Sequence, residues 1–253
     1  MPLDLVTIPC RSDNYAYLLH DSATSRTALV DAPEAGPIAA ALQDRGWALS
    51  DILLTHHHDD HVEGVAALRD GARVIGAAAD AHRLPPLDLA VAEGDALTIC
   101  GEPVAVLDVS GHTLGHLAFH FPQSGYAFTA DSLMALGCGR LFEGSAPQMW
   151  DSLKKLRALP PDTLICSGHE YTAANAAFAL SVDAGNAALV SRAAAVEAAR
   201  ARGEPTVPSR LSEEIATNPF LRADTPLMAR QLGMEGADPA EVFAEIRSRK
   251  DRF

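Results

Sequence analysis

The first two thirds of the chain alternate between short apolar runs and turn residues. The runs Asp4–Ile8, Tyr15–Leu19 and Thr27–Val30 are apolar or alternate with a period of two, and turn sequences such as Ser-Asp-Asn separate them. Since side chains alternate between the two faces of a strand, this pattern predicts β-strands. The same criteria predict further strands at Ile52–Leu54, Arg73–Ile75, Ala96–Ile99, Val104–Val109, Leu117–Phe121, Tyr126–Thr129 and Thr163–Cys166.

Helical patterns interrupt these strands and dominate the last third of the chain. Apolar residues recur at helical spacing in Trp150–Leu159, and both Ala173–Ser181 and Asn186–Arg202 are rich in alanine, the strongest helix former. The sequence Asp-Pro-Ala-Glu at residues 238–241 reads as an N-cap followed by proline at the first helical position, which predicts a last helix. Further helices are predicted at Ile38–Arg45 and Val62–Leu68.

The order of these elements predicts two regions of different character. Strands alternate with helices up to residue 170, and helices alone follow from there. This order is typical of an α/β domain in residues 1–170 with a smaller all-helical domain in residues 171–253. The 253 residues, of which 48% are hydrophobic, are sufficient to bury a large core.

The charge of the chain disfavours some classes of partner. Its 33 acidic and 20 basic residues leave a formal net charge of -13. A chain this acidic is a poor electrostatic match for a phosphate backbone. No run approaches the roughly 18 apolar residues of a membrane span, and the N-terminus lacks the basic and apolar stretches of a secretory signal. We therefore expect neither nucleic acid nor a membrane as partner.

The cysteines indicate the compartment. Cys10, Cys100, Cys138 and Cys166 stand far apart, with no Cys-x-x-Cys pair. Such spacing does not suit a disulfide framework, so the sequence predicts free thiols and a reducing, cytoplasmic location.

A cluster of histidines gives the strongest chemical signal. Residues 55–61 read Thr-His-His-His-Asp-Asp-His and directly follow the apolar strand that ends at Leu54. In extended backbone His56 and His58 point to the same side, and Asp60 and His61 follow at the entry to a helix. Imidazole and carboxylate ligands together suit zinc, iron or manganese, so the cluster predicts a metal site.

Three more residues of ligand type follow predicted strands further along the chain. His112, Asp131 and His169 each come after such a strand, beside glycine or another small residue. One such residue alone is more often a cap or turn residue. Four strand ends that each deliver a ligand type favour a shared site, because binding residues gather on loops held by a rigid scaffold.

These residues resemble the metallo-β-lactamase superfamily signature, and further phrases resemble one family within it, glyoxalase II (hydroxyacylglutathione hydrolase). The tail shares in this resemblance, which therefore covers essentially the whole chain. The phrases are Phe-Thr-Ala-Asp-Ser-Leu at 128–133, Gly-Cys-Gly-Arg at 137–140, Phe-Glu-Gly at 142–144, Gly-His-Glu-Tyr-Thr at 168–172, Pro-Thr-Val-Pro-Ser at 205–209, Thr-Asn-Pro-Phe-Leu-Arg at 217–222 and Arg-Ser-Arg-Lys-Asp at 247–251.

The resemblance implies a fold and a dinuclear metal centre. The fold is a four-layer αβ/βα sandwich with a helical C-terminal domain that binds glutathione. The two divalent ions are expected to be zinc, with iron or manganese as alternatives. The implied ligands are His56, His58 and His112 for one ion, Asp60, His61 and His169 for the other, and Asp131 as the bridge between them.

The implied reaction is hydrolysis of S-D-lactoylglutathione and related S-2-hydroxyacylglutathiones to D-lactate and glutathione, a step of methylglyoxal detoxification. A bridging hydroxide attacks the thioester, and Asp60 orients or deprotonates the bridging water. The enzyme is expected to act as a monomer. The residues implied in glutathione binding are Arg140, Tyr171, Arg247 and Lys250, with Phe142 at a position where relatives often carry tyrosine.

Other functions share parts of this pattern. A β-lactamase commonly carries cysteine where Asp131 stands, and it acts outside the cytoplasm. A persulfide dioxygenase-like iron enzyme shares much of the motif, but the tail with Arg247 and Lys250 does not suit it. A nuclease relative would need a basic surface. A non-catalytic, metal-stabilised binding protein remains a further alternative, against which the complete ligand set argues.

Overall fold

A computed structural model describes residues 2–253, which form two compact units. The first contains the residues up to Asp108 together with Leu114–Ala130, and the second contains Val109–Thr113 together with Asp131–Phe253. No helix among residues 2–253 is both long enough and apolar enough to cross a membrane.

The first unit begins with a mixed sheet whose strand order follows the chain. Its first three strands are antiparallel neighbours, and the following three add in parallel. Parallel strands are buried by the helices that connect them, which explains the continuous apolar runs of the sequence. The elements are β1 (Asp4–Cys10), β2 (Asn14–Asp21), β3 (Arg26–Val30), α1 (Ala35–Arg45), β4 (Leu49–Leu53), α2 (Asp59–Val62), α3 (Val65–Leu68), β5 (Arg73–Ala77) and β6 (Leu89–Val91).

An antiparallel meander completes the first unit. It consists of β7 (Ala96–Ile99), β8 (Glu102–Asp108), β9 (Leu117–Phe121) and β10 (Tyr126–Ala130), paired in chain order. An aromatic contact joins it to the first sheet, since the ring of Phe128 packs edge-on against Tyr17 at 5.4 Å. Within the meander, Phe128 also packs edge-on against Phe121 at 5.5 Å. These side chains are fully buried, so the core of the unit lies between its sheets.

The second unit is mainly helical. A buried aromatic group that includes Phe178, Phe220 and Phe243 forms part of its core. Ser145 and Asp238 cap two of its helices with capping boxes, as the sequence predicts for Asp238. The elements are β11 (Leu133–Met134), β12 (Gly137–Cys138), α4 (Ala146–Arg157), β13 (Leu164–Ser167), α5 (Thr172–Asp183), α6 (Ala187–Ala201), β14 (Ser209–Arg210), α7 (Leu211–Thr217), α8 (Pro226–Leu232) and α9 (Pro239–Asp251).

One predicted helix is divided in the structure. The sequence predicts a helix at Val62–Leu68, whereas the structure has α2 up to Val62 and α3 from Val65. Gly64 lies between them, and its N–H donates to the carbonyl of Ala32 at 2.8 Å. A Cβ atom at this glycine would lie 2.9 Å from the same carbonyl oxygen. The close approach of two backbones therefore requires glycine and divides the helix.

The compact units do not follow the domain boundary that the sequence predicts at residue 170. The second unit also takes in Val109–Thr113 and the segment from Asp131 onward. These segments carry His112 and Asp131, so two predicted ligands belong to the same unit as the C-terminal helices. The division into domains at residue 170 remains a prediction.

Candidate metal centre

The first unit brings four of the predicted ligands together at the end of β4. The chain runs on from Leu53 in extended form to His58, and α2 then begins at Asp59. His56 and His61 are fully buried, and their ring centroids lie 4.2 Å apart. The Nε2 atom of His56 lies 3.1 Å from the Nδ1 atom of His58. The short connection between β4 and α2, together with the first turn of α2, therefore gathers these imidazoles into one cluster.

Asp31, at the end of β3, holds the histidines of this cluster. Its carboxylate accepts hydrogen bonds from the backbone N–H of Thr55 at 2.9 Å, from the Thr55 hydroxyl at 2.8 Å and from Nδ1 of His61 at 2.8 Å. The Thr55 hydroxyl gives its only hydrogen to Asp31, so it accepts from Nδ1 of His56 at 3.0 Å. Both imidazoles are thereby protonated on Nδ1, which leaves their Nε2 atoms unprotonated and able to bind a metal ion.

The second unit brings together His112, Asp131 and His169. All three are buried. The Oδ2 atom of Asp131 lies 3.5 Å from Nε2 of His112, and its Oδ1 atom lies 3.4 Å from Nε2 of His169. Each carboxylate oxygen therefore faces a different imidazole. The opposite nitrogen of His112, Nδ1, donates to the carbonyl of Arg140 at 2.8 Å, which leaves its Nε2 as the available ligand atom.

These separations fit metal ligands better than direct hydrogen bonds. Ligand atoms about 2.0–2.1 Å from one tetrahedral metal ion are about 3.3–3.4 Å apart. Nitrogen–oxygen hydrogen bonds are about 2.7–3.2 Å long. The two distances at Asp131, 3.4 and 3.5 Å, match the first value. The donor set of imidazole and carboxylate also suits divalent transition metals, so the residues present fit such ions.

Gly139 holds the segment beside Asp131 close to the ligands. A Cβ atom at this position would lie 2.0 Å from the carbonyl oxygen of Asp131 and 2.9 Å from Nδ1 of His112. Any side chain here would displace Asp131 or His112. The second glycine of the Gly-Cys-Gly-Arg phrase, Gly139, thus has a steric role next to the predicted ligands.

Replacing Gly139 with alanine should lower both stability and metal content. Overpacking of this kind costs about 1–3 kcal/mol. Gly185 is the matched control, because a Cβ atom there meets nothing within 4 Å. Thermal unfolding and elemental analysis of the two variants would test the expectation. An unaltered metal content in Gly139→Ala would show that the segment can move aside at little cost.

Two of the residues predicted for glutathione binding lie against His169 and His112, which are predicted metal ligands. The ring of Tyr171 stacks on His169 at 4.6 Å, with 7° between the planes. The ring of Phe142 packs against His112 at 5.2 Å. Both aromatic side chains are exposed, at 40% and 62% respectively. Exposed aromatic rings next to buried ligands offer a binding surface beside the site.

The three predicted cations differ in exposure. The side chain of Arg140 is 62% exposed, with Asp251 at 3.6 Å. Arg247 is buried; its guanidinium donates to the carbonyl of Cys138 at 2.9 Å and lies 2.9 Å from Asp251. The Nζ atom of Lys250 donates to the carbonyl of Ala174 at 3.1 Å. Burial and the neighbouring Arg247 lower the pKa of Lys250. A partly desolvated ammonium of this kind favours an anionic ligand.

The remaining histidines and cysteines have structural contacts. His57 turns to Asp80, with Nδ1 2.8 Å from the carboxylate, and His116 stacks on the ring of His56 at 4.6 Å. The four cysteines are free and buried. Burial raises the pKa of the Cys138 thiol to about 11. A thiol of this pKa is protonated at neutral pH, which argues against Cys138 as a nucleophile.

Sequence reasoning missed Thr55 and Asn14. In the sequence Thr55 is simply the residue before the histidines, whereas in the structure its hydroxyl links Asp31 to His56. Asn14 was assigned to a turn, yet its side chain is buried and contacts Asp60. A Ser-Asp-Asn turn is common in proteins, so its composition carries no signal for such a contact.

Comparison with known proteins identifies the family. The model of the metallo-beta-lactamase superfamily matches residues 12–169, and the model of the hydroxyacylglutathione hydrolase C-terminus matches residues 170–253. A protein named hydroxyacylglutathione hydrolase from Ruegeria pomeroyi is 68% identical over 100% of both chains. The chain belongs to the hydroxyacylglutathione hydrolase family. The family predicted from the sequence is therefore confirmed over the whole chain.

Solved structures agree with the fold. ETHE1 from Myxococcus xanthus aligns with a TM-score of 0.67 and 24% identity, over 98% of this chain and 90% of its own. A protein solved in a di-iron-bound form aligns with a TM-score of 0.61 and 27% identity, over 86% of this chain and 100% of its own. The predicted fold class, an α/β metallo-β-lactamase sandwich with a helical C-terminal part, is confirmed.

Proposed function

We propose that the protein hydrolyses S-D-lactoylglutathione and related S-2-hydroxyacylglutathiones to a 2-hydroxy acid and glutathione. Relatives named hydroxyacylglutathione hydrolase match the chain along its whole length. The observation that carries the proposal is the Asp131 carboxylate, which turns one oxygen to His112 and the other to His169. A carboxylate in this arrangement suits the bridge of a two-metal hydrolase.

The proposed metal ligands form two sets that share Asp131. Divalent ions held by such sets acidify water and polarise a carbonyl oxygen, which is the chemistry that thioester hydrolysis needs. We propose zinc as the metal, with iron or manganese as alternatives, because imidazole and carboxylate accept all three. The sets are His56, His58 and His112 for one ion, and Asp60, His61 and His169 for the other.

The protein groups then have separate tasks. We propose that the Asp60 carboxylate orients the attacking water and accepts its proton, since it is about one-third exposed beside buried His61. The leaving group is a thiolate, and because a thiol has a pKa of about 8.5 it departs without a strong general acid. Asp31 and Thr55 keep the ligand imidazoles protonated on Nδ1 throughout.

The glutathione part of the substrate is assigned to the second unit. Tyr171 and Phe142 offer exposed rings next to His169 and His112. Arg140 and Lys250 offer positive charge to the glutathione carboxylates. We propose that Arg247 contributes indirectly: its guanidinium donates to the carbonyl of Cys138 and so holds the segment that contains Arg140. We also propose that residues 1–170 carry the metal chemistry and residues 171–253 complete the glutathione site.

The compartment and the assembly state are part of the proposal. Four buried, free cysteines suit a reducing compartment, so we propose that the protein acts in the cytoplasm. We further propose that it acts as a monomer. Sedimentation of the purified protein would test the assembly state.

Thiol release from S-D-lactoylglutathione is the direct test of the function. The purified protein should release glutathione at a rate that depends on its metal content, and elemental analysis should give about two ions per chain. A β-lactam and a persulfide of glutathione serve as the comparison substrates. The proposal would be contradicted by a metal content of one ion per chain after reconstitution. Faster turnover of either comparison substrate than of S-D-lactoylglutathione would also contradict it.

Replacing Lys250 with alanine should weaken glutathione binding specifically. A charge-assisted contact contributes about 1.5–3 kcal/mol, and 1.4 kcal/mol is about tenfold in affinity. We expect KM to rise about ten- to a hundredfold while kcat changes little, because the contact lies on the non-reacting part of the substrate. Steady-state kinetics with a small thioester that lacks the glutathione carboxylates should show no such effect.

Lys154→Ala is the matched control for this measurement. Its Nζ atom pairs with Asp151 on α4 at 2.8 Å, on a largely exposed surface. Removing this lysine changes the net charge by the same amount but should leave KM unaltered. Equal KM increases in the two variants would indicate a long-range effect of charge, and an unaltered KM in Lys250→Ala would remove this residue from the substrate site.

A further inference from the structure

Asn14 lies at the start of β2 and reaches a residue that is distant in sequence. Its side chain is 4% exposed. The Nδ2 atom donates to the backbone carbonyl of Asp60 at 3.0 Å and to the carboxylate oxygen Oδ2 of the same residue at 3.1 Å. The hairpin between β1 and β2 thus contacts the first turn of α2.

The two contacts define the orientation of the amide. An amide nitrogen carries two hydrogens and accepts none, and both of its neighbours here are acceptors. The opposite orientation would place the amide oxygen against two oxygens of Asp60, so the assignment of the nitrogen follows from the surroundings. The single amide NH2 group of Asn14 therefore ties the side chain of Asp60 to its own backbone carbonyl.

A second attachment fixes the hairpin to the same helix. Arg11 lies in the turn between β1 and β2, and its Nη2 atom donates to the carbonyl of Asp59 at 3.4 Å and pairs with Glu63. Its Nε atom donates to the carbonyl of Pro33 at 3.0 Å. The turn that delivers Asn14 is therefore held on both sides of Asp60.

The side chain of Asp60 needs such support more than that of its neighbour does. His61 is fully buried and held by Asp31, whereas the side chain of Asp60 is 33% exposed. A partly exposed carboxylate can rotate about two bonds, and ordering it costs conformational entropy when it binds an ion. A hydrogen bond from a buried amide reduces this cost before binding, because the carboxylate is already oriented.

We propose that Asn14 is a positioning residue that holds the Asp60 carboxylate in the orientation required by the ion bound to Asp60 and His61. This inference rests on the proposed function, which makes Asp60 a ligand and the group that orients water. Partners of metal ligands typically contribute about 10- to 100-fold to metal affinity or activity. We assign this role to the amide of Asn14, which neither contacts the substrate nor binds the metal.

Metal binding by Asn14→Ala is the primary test, read without substrate. Competition with a chromophoric chelator and titration of the metal-free protein with Co²⁺, followed by visible absorption, should resolve the two ions. We expect one ion to bind about 10- to 100-fold more weakly and the other to bind as in the parent protein. In turnover, kcat should fall while KM for the glutathione thioester changes little. Two ions bound at parental affinity would overturn the inference.

Thr27→Val is the matched control in the same unit. It removes a buried hydrogen bond, between the Thr27 hydroxyl and His20 at 2.9 Å, that involves no proposed ligand. Both variants should lower the unfolding temperature of the metal-free protein, and only Asn14→Ala should alter metal affinity. An equal loss of metal affinity in Thr27→Val would reduce Asn14 to a stabilising role. If Asn14→Ala does not fold, Asn14→Ser replaces it.

A double-mutant cycle with Asp60→Ala separates positioning from general stabilisation. If Asn14 acts through the Asp60 carboxylate, its replacement should have no further effect on metal affinity once that carboxylate is absent. Additive losses would contradict the inference. A parent protein that binds two ions without hydrolysing the thioester would refute the proposed substrate and leave the role of Asn14 intact. A parent protein that does not bind two ions would refute both.

Discussion

Replacing Asp131 with alanine should reduce kcat/KM for the glutathione thioester by hundreds-fold or more. Its two carboxylate oxygens lie 3.5 Å from Nε2 of His112 and 3.4 Å from Nε2 of His169. Alanine removes the only group that the proposal shares between the two ions. Loss of a preorganised electrostatic element typically costs about a hundred- to a thousandfold in rate. Kinetics and elemental analysis of the same preparation would measure both effects.

Asp183→Ala provides the control for the Asp131 variant. Asp183 is a fully buried aspartate of the second unit that pairs with Arg222 and accepts from Gln231 at 2.9 Å. Its replacement should lower the unfolding temperature because it removes the carboxylate that pairs with the largely buried guanidinium of Arg222. The metal content of Asp183→Ala should remain at the parental level. Near-normal turnover of Asp131→Ala with both ions retained would show that another residue forms the bridge.

Replacing Asp31 with asparagine should weaken metal binding although the side chain keeps its shape. Asp31 accepts from Nδ1 of His61 and from both donors of Thr55. An asparagine amide has an accepting oxygen on one side and a donating NH2 group on the other. In one orientation the NH2 group faces the backbone N–H of Thr55, where two donors oppose each other. In the other orientation the NH2 group donates a hydrogen to Nδ1 of His61. The second case moves the proton of His61 to Nε2, which can then no longer bind metal. We expect a loss of about 10- to 100-fold in metal affinity.

Asp80→Asn is the matched control for Asp31→Asn. Asp80 is also buried and also pairs with a histidine, since its carboxylate lies 2.8 Å from Nδ1 of His57. His57 is not among the proposed ligands. The two variants should lose similar stability, while only Asp31→Asn should lose metal in chelator competition. Parental metal affinity in Asp31→Asn would show that the tautomer of His61 is set by the ion itself.

The sequence predicted the elements of the fold because most of their determinants are local. Strand β2 and helix α4 follow from apolar periodicity, and α9 follows from its Asp-Pro cap. The strand β14 and the helix α8 were missed, because a two-residue strand and a helix of two turns carry little periodic signal. The split between α2 and α3 was missed because it depends on the contact of Gly64 with the distant Ala32.

The candidate metal ligands could also be named from local sequence. Histidines at alternate positions of extended backbone, followed by Asp60 and His61, are recognisable from seven consecutive residues. The ends of further predicted strands, and then the family resemblance, added His112, Asp131 and His169. The residue type alone determines which donor atoms a side chain offers, so no tertiary information was needed to name these candidates.

Tertiary structure alone decided how the candidate ligands are held. The nitrogen that each imidazole presents depends on its partner, and the partner of His61, Asp31, lies 30 residues away. Asn14 is 46 residues from Asp60, and Arg247 is 109 residues from Cys138. Such contacts form only when the fold joins separate segments, and a hydrogen bond between them leaves no periodic pattern in the chain. Residue type therefore determines which groups can bind metal, and folding determines which atom of each group is free to do so.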